Sequence, residues 1–374
     1  MPRVLVADDQ PDVLEALRFL LTDLHCEIDL VTSVDAVMTH LTRGIYDLLL
    51  MDLNYTRDTT SGREGLTLID RARAHDPMLP IVVMTGWGSI DTAVEAMRRG
   101  AKSFVQKPWD NGVLVEIIER ELADGLAVRQ RDQRHAREQE EARLIQRALI
   151  PSAMPDLEGC DMAARWQPAE GIGGDCYDVL RFSNTRVGIT IADVIGKGLP
   201  AALLMSNLQA AVRAFATNDA ATRDVASSIN RLLARNIAVG KFVTFCYLVI
   251  DSAAGTIDYA NAGHNPPLVL RSDGTTERLD ATGVVLGIFP DGVYESRTVA
   301  FAPGDRLICY TDGITEASDP GGEEFSEARL IAVARGPHAT AMAIVEAVTA
   351  AVGAWTGGAV QTVQDDATLI AVLR

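Results

Sequence analysis

The chain of 374 residues has few of the features that mark secreted, membrane or nucleic-acid-binding proteins. It has five cysteines and no Cys-x-x-Cys pair, so neither a disulfide framework nor a zinc site is indicated. No apolar run reaches about 18 residues and the N-terminus does not resemble a signal peptide, so we expect a cytoplasmic protein without a membrane span. The net charge of −17 argues against nucleic-acid binding.

Proline is missing from the stretch 113–150, which also contains a single glycine and many charged residues. This composition predicts one helix roughly 55 Å long, at about 1.5 Å per residue. We therefore predict a first domain over 1–118, a helical linker over 119–150 and a second domain over 151–374.

The linker has an apolar stripe only in its first part, at Val115, Ile118, Leu122 and Leu126. Apolar residues return near 144–150, but the middle is polar. A solvated spacer and a coiled-coil seam that joins a homodimer fit this pattern equally well.

The first domain alternates short apolar runs with helical patterns, which predicts a parallel sheet covered by helices on both faces. The expected strands are 4–7, 28–31, 47–51, 81–85 and 103–106, with helices that include 11–21 and 89–99. Ligand sites in such sheets lie at the carboxyl ends of the strands. The residues there are Asp8, Asp9, Asp52, Thr85 and Lys107. Carboxylate oxygens suit Mg²⁺, and a lysine suits a phosphoryl group.

These five positions, with Pro108, resemble the receiver domain of two-component response regulators. The resemblance implies a doubly wound, flavodoxin-like α/β fold with a five-stranded parallel sheet. It implies that Asp52 accepts a phosphoryl group from a sensor histidine kinase. Asp8, Asp9 and Asp52 would hold Mg²⁺ together with the carbonyl of Asn54.

The same resemblance assigns switch roles to Thr85, Phe104 and Lys107, and a cis peptide to Lys107-Pro108. Thr85 and Lys107 would contact the phosphoryl oxygens. The loop after Asp52 departs from the family, because it reaches Gly62 two residues late and lacks the usual proline.

The second domain shows strand-like runs at 187–192, 242–250, 268–270, 307–310 and 368–373, with helices near 199–215 and 221–237. This mixture predicts two sheets with helices outside. Acidic residues recur where a strand meets a turn, next to glycine or to another acid. Such carboxylates and carbonyls form a ligand set for a hard cation, Mg²⁺ or Mn²⁺. The acids that mark these points are Asp175, Asp193, Asp312, Asp365 and Asp366.

Five ordered motifs carry a second resemblance: Gly-Gly-Asp-x-Tyr-Asp at 173–178, Asp-x-x-Gly-x-Gly at 193–198, Asn-Ala-Gly-His-Asn-Pro-Pro at 261–267, Thr-Asp-Gly at 311–313 and Asp-Asp-Ala-Thr at 365–368. They resemble the metal-dependent PPM (protein phosphatase 2C-like) phosphatases, most closely the SpoIIE-like bacterial branch. That family implies an α+β fold, an α-β-β-α sandwich, and hydrolysis of phosphoserine or phosphothreonine with two Mn²⁺ or Mg²⁺ ions.

The resemblance implies that Asp193 bridges the two metals, helped by the Val194 carbonyl. Asp175 would bind the second metal, and Asp312 and Asp365 would complete the first. Asp366 is the alternative to Asp365. For Asp178, and likewise for His264, we favour a structural role.

We therefore expect a phosphorylation-controlled phosphatase whose substrate, by resemblance, is a phosphorylated anti-sigma-factor antagonist. The alternative is a catalytically weak adaptor that binds a sigma-factor regulator in response to Asp52 phosphorylation. The presence of all four acidic positions favours the enzyme. No nucleic-acid or membrane partner is expected.

Overall fold

A computed structural model describes residues 1–55, 63–86, 90–169, 171–237, 240–357 and 365–374. Its contacts divide the chain into two compact units, Met1–Glu138 and Gln139–Arg374. The part of the loop after Asp52 from 56 to 62, and the predicted helix start at Ser89, lie outside the described residues.

The first unit is a five-stranded parallel sheet with the order β2-β1-β3-β4-β5. Its elements are β1 (Arg3–Ala7), α1 (Pro11–Leu21), β2 (Glu27–Val31), α2 (Val34–Arg43), β3 (Leu48–Asp52), α3 (Arg63–His75), β4 (Ile81–Thr85), α4 (Ile90–Arg98), β5 (Ser103–Gln106) and α5 (Asn111–Leu149). Residues of β1, β3 and β4 alternate between two apolar cores. One core lies under α1 and α5, and the other lies under α2 and α3. The predicted receiver-like fold is confirmed.

Helix α5 is a single helix that begins in the first unit and ends in the second. Leu114, Ile118 and Leu122 join the core of the first unit, so the predicted stripe lies one residue off at its start. Arg129, in the polar part of the linker, pairs with Asp76 at 2.7 Å. Residues 131–140 are all exposed.

The second unit has two antiparallel sheets of five strands. Its elements are β6 (Asp161–Gln167), β7 (Cys176–Arg181), β8 (Arg186–Val194), α6 (Gly198–Phe215), α7 (Thr222–Asn236), β9 (Val243–Asp251), β10 (Thr256–Ala262), β11 (Leu268–Leu270), β12 (Thr276–Arg278), β13 (Arg297–Ala300), β14 (Arg306–Tyr310), α8 (Asp312–Thr315), α9 (Ser326–Ala334), α10 (Ala341–Trp355) and β15 (Ala367–Leu373).

The sheet β13-β10-β9-β8-β7 and the sheet β12-β11-β14-β15-β6 share one apolar core. Side chains of α6 and α7 join that core, whereas α9 and α10 cover the outer side of the second sheet. Strand β15 shows the alternation, because Ile370 and Val372 lie in the shared core while Leu369 and Ala371 face α10. The predicted two-sheet sandwich is confirmed.

Candidate functional sites

The first site lies at the carboxyl ends of β1 and β3. Asp8 and Asp9 follow β1, and Asp52 is the last residue of β3. One ligand atom from each of these three side chains lies within 4.8 Å of the other two. Asp8 and Asp52 are buried, and three carboxylates this close repel one another unless positive charge lies among them. The arrangement fits a single hard cation.

Lys107 supplies part of that positive charge. Its Nζ lies 2.6 Å from Asp8 Oδ2 and 3.0 Å from Asp52 Oδ2. Burial raises the pKa of Asp52, and the charge of Lys107 opposes that rise. Burial would lower the pKa of Lys107, but its hydrogen bond to Asp8 and its attraction to Asp52 raise it overall. The lysine therefore stays charged where a phosphoryl group would need it.

Of the remaining predicted residues, Thr85 and Asn54 lie at this edge of the sheet, and Phe104 lies within β5. Thr85 is the last residue of β4 and is buried, whereas Phe104 on β5 is 49% exposed. Asn54 follows Asp52 by two residues and is half-buried. The Lys107-Pro108 peptide is cis, as the motif predicts. Sequence reasoning missed Gly65, where a Cβ would lie 2.5 Å from the Leu53 carbonyl oxygen, so α3 can approach the strand only at a glycine.

The second site begins with the loop before β7. Asp175 is buried, and its Oδ2 accepts hydrogen bonds from the hydroxyls of Thr311 (2.6 Å) and Thr368 (2.7 Å). Burial raises the pKa of Asp175 well above its ordinary value, and the charge of Asp193 adds to the rise despite the two hydroxyls. The two threonines adjoin Asp312 and the acids at 365–366 in sequence. They therefore tie the ends of β14 and β15 to Asp175.

Asp193 lies near the end of β8. Burial raises its pKa to about 7, and the charges of Asp312 and Asp365 contribute to the rise. The neighbouring Val194 carbonyl faces the loop before β7, since a Cβ on Gly174 would lie only 2.6 Å from that oxygen. Glycine at 174 therefore leaves space beside a carbonyl that could act as a ligand.

Asp312 opens α8, directly after β14. Burial raises its pKa, as does the charge of Asp365. Asp365 carries an ion pair with Lys197 at 3.2 Å, and both side chains are about half exposed. Lys197 lies between two glycines with positive φ, Gly196 and Gly198, at the start of α6.

The side chain of Asp366 accepts hydrogen bonds from backbone N–H groups. Its Oδ2 accepts the backbone N–H of Gly174 at 2.6 Å, and its Oδ1 accepts that of Ala169 at 2.9 Å. These bonds hold the loop that carries Asp175. Asp366 thus has backbone partners, and the choice of Asp365 as the ligand stays a prediction.

Asp178 and His264 also have protein partners. Asp178 Oδ2 accepts a hydrogen bond from Arg213 Nε at 2.7 Å, and His264 Nδ1 lies 2.8 Å from the Thr244 hydroxyl. Burial lowers the pKa of His264 to about 4, so the imidazole is neutral at pH 7. Both residues fit the structural role that we favoured.

Sequence reasoning missed Gln146, near the end of α5. This side chain is buried, and its amide pairs with both backbone groups of Gly173: Nε2 donates to the carbonyl at 2.6 Å, and Oε1 accepts the N–H at 3.0 Å. No sequence signal marked it, because it looks like one more polar residue of a charged helix. It fixes the residue two places before Asp175.

The four acids of the second site differ from those of the first in spacing. Among the described residues of this unit, no three side-chain ligand atoms all lie within 4.8 Å of one another. Yet Asp175, Asp193 and Asp312 all have raised pKa values through burial and mutual repulsion. Hard oxygen donors, crowded negative charge and the space beside the Val194 carbonyl fit divalent cations spread over more than one position.

Comparison with known proteins divides the chain in the same way. Residues 183–374, just over half of the chain, match the family described as Stage II sporulation protein E (SpoIIE), and residues 4–119 match the response regulator receiver domain. Protein IcfG of Synechocystis is 30% identical over 285 residues, which cover 69% of this chain and 43% of that protein. The phosphoserine phosphatase RsbU of Bacillus subtilis is 32% identical over 179 residues, which cover 48% of this chain and 53% of RsbU.

The chain thus spans about half the length of these two relatives. Among solved structures, the SiaA-PP2C domain of Pseudomonas aeruginosa matches with a TM-score of 0.57 and 23% identity, over 65% of this chain and 98% of that domain. This likeness shows the fold of the second unit. Within the described part of the chain, no helix is long and apolar enough to cross a membrane.

Proposed function

Because this chain belongs to the SpoIIE family and carries a receiver domain ahead of that match, we propose that it is a phosphorylation-controlled protein serine/threonine phosphatase. The observation that carries the proposal is the group of acids at strand ends, with the pKa of Asp193 raised to about 7. Carboxylates held at such a cost in repulsion are typical of sites that bind cations. The domains would be the receiver (1–118), the linker (119–150) and the phosphatase (151–374).

In this proposal Asp193, the Val194 carbonyl, Asp175, Asp312 and Asp365 would together hold two Mn²⁺ or Mg²⁺ ions. When bound, the ions would lower the pKa of a water and neutralise the phosphate. Thr311 and Thr368 hold Asp175 in one orientation.

Lys197 adds positive charge at the rim. Its ammonium pairs with Asp365 and lies beside the loop that follows Asp193. A phosphorylated side chain that approaches the acids meets this charge first, which favours an anionic substrate in a unit otherwise rich in acid.

The receiver would control this activity. We propose that a sensor histidine kinase phosphorylates Asp52, with Mg²⁺ held by Asp8, Asp9, Asp52 and the Asn54 carbonyl, while Thr85 and Lys107 contact the phosphoryl group and Phe104 responds. The cation and the lysine together would offset the charge of three carboxylates and a phosphoryl group.

The substrate we propose is a phosphorylated anti-sigma-factor antagonist, and the similarity to a phosphoserine phosphatase, RsbU, supports a phosphoprotein substrate. A homodimer through α5 is supported by the exposed apolar side chains of Val128, Leu144 and Ile145 along that helix. Apolar residues on an otherwise charged helix favour pairing with a second helix.

The test is a phosphate-release assay on the purified chain with a serine-phosphorylated antagonist, in Mn²⁺ and in Mg²⁺. We expect metal-dependent release that Asp193→Ala abolishes. Beryllofluoride, which mimics the phosphoryl group, should change the rate in the parent chain and not in Asp52→Ala. Tight substrate binding without release in either metal would instead favour the adaptor function.

A further inference from the structure

A short segment of the second unit, 284–293, exposes four large apolar side chains. The exposed fractions are 45% for Val284, 46% for Ile288, 56% for Phe289 and 78% for Val293. We call this segment the apolar loop. Single exposed apolar residues are common, but a group of them within one loop marks an interaction surface.

The apolar loop is held in place by hydrogen bonds. Its two ends meet where Gly283 pairs with Tyr294, so Val284 and Val293 stand next to each other. Asn230 of α7, which is completely buried, donates from Nδ2 to the Phe289 carbonyl at 2.7 Å and accepts the Gly287 N–H at 2.9 Å. A buried amide used in this way fixes the backbone while the apolar side chains face solvent.

The apolar loop adjoins the sheet whose strand β8 carries Asp193. Within the loop, Leu286 exchanges two backbone hydrogen bonds with Val243, the first residue of β9, at 2.9 and 3.1 Å. Val243 in turn pairs with Val194 of β8. Neighbouring strands lie about 4.8 Å apart, so Leu286 is about 10 Å from the proposed ligand Val194.

We propose that the apolar loop docks the phosphoprotein substrate and packs against apolar side chains around its phosphoserine or phosphothreonine. This inference rests on the proposed function. A specific protein partner covers about 800 Å² on each side, equivalent to a disc with a radius of about 16 Å. A substrate protein centred on the acids therefore covers a loop that begins about 10 Å away.

The net charge does not attract this substrate, so the affinity has to come from other contacts. The chain carries a net charge of −17, and a phosphorylated substrate adds negative charge of its own. Long-range electrostatics then contributes little attraction, and apolar contact beside the acids supplies the affinity.

The experiment compares two substrates on the full chain with Mn²⁺: para-nitrophenyl phosphate, which has no protein surface, and a serine-phosphorylated anti-sigma-factor antagonist from the same genome. The variant is Phe289→Ser combined with Val293→Ser. We expect kcat/KM on the phosphoprotein to fall at least about tenfold through KM, as loss of anchor side chains does at interfaces. Activity on para-nitrophenyl phosphate should stay within about twofold.

Met342→Ser is the matched control, because Met342 is 50% exposed on α10, which covers the other sheet. Neither substrate should respond to it. Equal loss on both substrates, or no loss on the phosphoprotein, would overturn the docking role. A parent dimer that becomes a monomer in the variant would show that a second copy covers the loop, which also overturns it. Failure of the parent chain on both substrates would count against the proposed function itself.

Discussion

The two units both gather carboxylates at the edge of a sheet, but they balance the charge differently. In the receiver, three ligand atoms lie within 4.8 Å of one another, and the Lys107 ammonium contacts two of the acids. In the second unit the acids are spread over the ends of β8, β14 and β15. There the ion pair that the structure shows, from Lys197 to Asp365, lies at the half-exposed rim.

This difference shows in the protonation of the acids. Burial raises the pKa of Asp52 and Lys107 opposes the rise, whereas burial and the neighbouring acids raise the pKa of Asp193 to about 7. A site with a built-in cation suits one metal and a transient phosphoryl group. A site whose buried acids have no such lysine among them suits more than one divalent cation.

The largest expected effect is on the phosphatase. Asp175→Asn should lower metal-dependent phosphate release by about 100-fold or more, because the charge is lost while the amide oxygen still accepts the two threonine hydroxyls. The fold should stay intact, as circular dichroism can check.

Asp178→Asn is the control for that change, as a buried acid of the same motif that pairs with Arg213 instead. It should keep release within about tenfold of the parent and lower the free energy of unfolding by about 1–2 kcal/mol, since Arg213 is half exposed. Equal loss of release in both variants would mean that Asp175 also acts structurally.

In the receiver we expect a stability effect. Lys107→Met leaves Asp8 and Asp52 buried without their ammonium, and should lower the free energy of unfolding of the metal-free receiver unit by about 2–3 kcal/mol at pH 8. Added Mg²⁺ should restore part of the lost free energy of unfolding. Urea denaturation measures this, with exposed Lys102→Met as the control. Equal stability of the two variants would contradict the charge balance described for this site.

The pH dependence of the metal-free second unit should have a definite sign. The pKa of Asp193 is about 7 in the folded state and about 3.9 in an unfolded chain. The folded state therefore binds more protons between pH 4 and 7, so the free energy of unfolding falls as pH rises through that window.

Chemical denaturation in EDTA at pH 5, 6, 7 and 8 measures this fall, and Mn²⁺ should suppress it at the upper end. Asp193→Asn should reduce the slope, and the raised pKa values of Asp175 and Asp312 should keep part of it. A parent chain that becomes more stable from pH 5 to 7 in EDTA would refute the assignment of repulsion to these acids.

The smallest expected effect concerns the rim. Lys197→Gln removes an ammonium 3.2 Å from Asp365, so Mn²⁺ should bind about threefold more tightly in calorimetric titration. Lys241→Gln is the comparison, because that ammonium bonds the Ile195 carbonyl. Weaker Mn²⁺ binding by Lys197→Gln would show that the lysine helps to shape the site.

Part of the fold could be predicted because strands such as β1, β3 and β4 are short, mostly apolar runs. The predicted bounds 11–21, 81–85 and 103–106 match α1, β4 and β5. The acids at strand ends were visible for the same reason, since a strand that stops at an aspartate marks its own edge. Their roles as ligands stay predictions.

What the sequence could not supply were partners from distant segments. The resemblance gave Asp175 and Asp178 different roles, but it could not show their partners. These are Arg213 on α6 for Asp178 and the threonines at 311 and 368 for Asp175. The apolar stripe on α5 begins at Leu114, one residue before the predicted Val115. Periodicity alone cannot fix the rotation of a helix against its sheet.

Gln146 has a consequence that follows from helix geometry. Its amide pairs with Gly173 as a neighbouring strand would, through one donor and one acceptor in fixed directions. Advancing a helix by one residue turns it by about 100° and moves it by about 1.5 Å. Either movement would point this side chain away from Gly173, so the contact is made or lost as a whole. The end of α5 thus holds the loop before Asp175 at one rotation of the helix only. At other rotations both hydrogen bonds between Gln146 and Gly173 are lost.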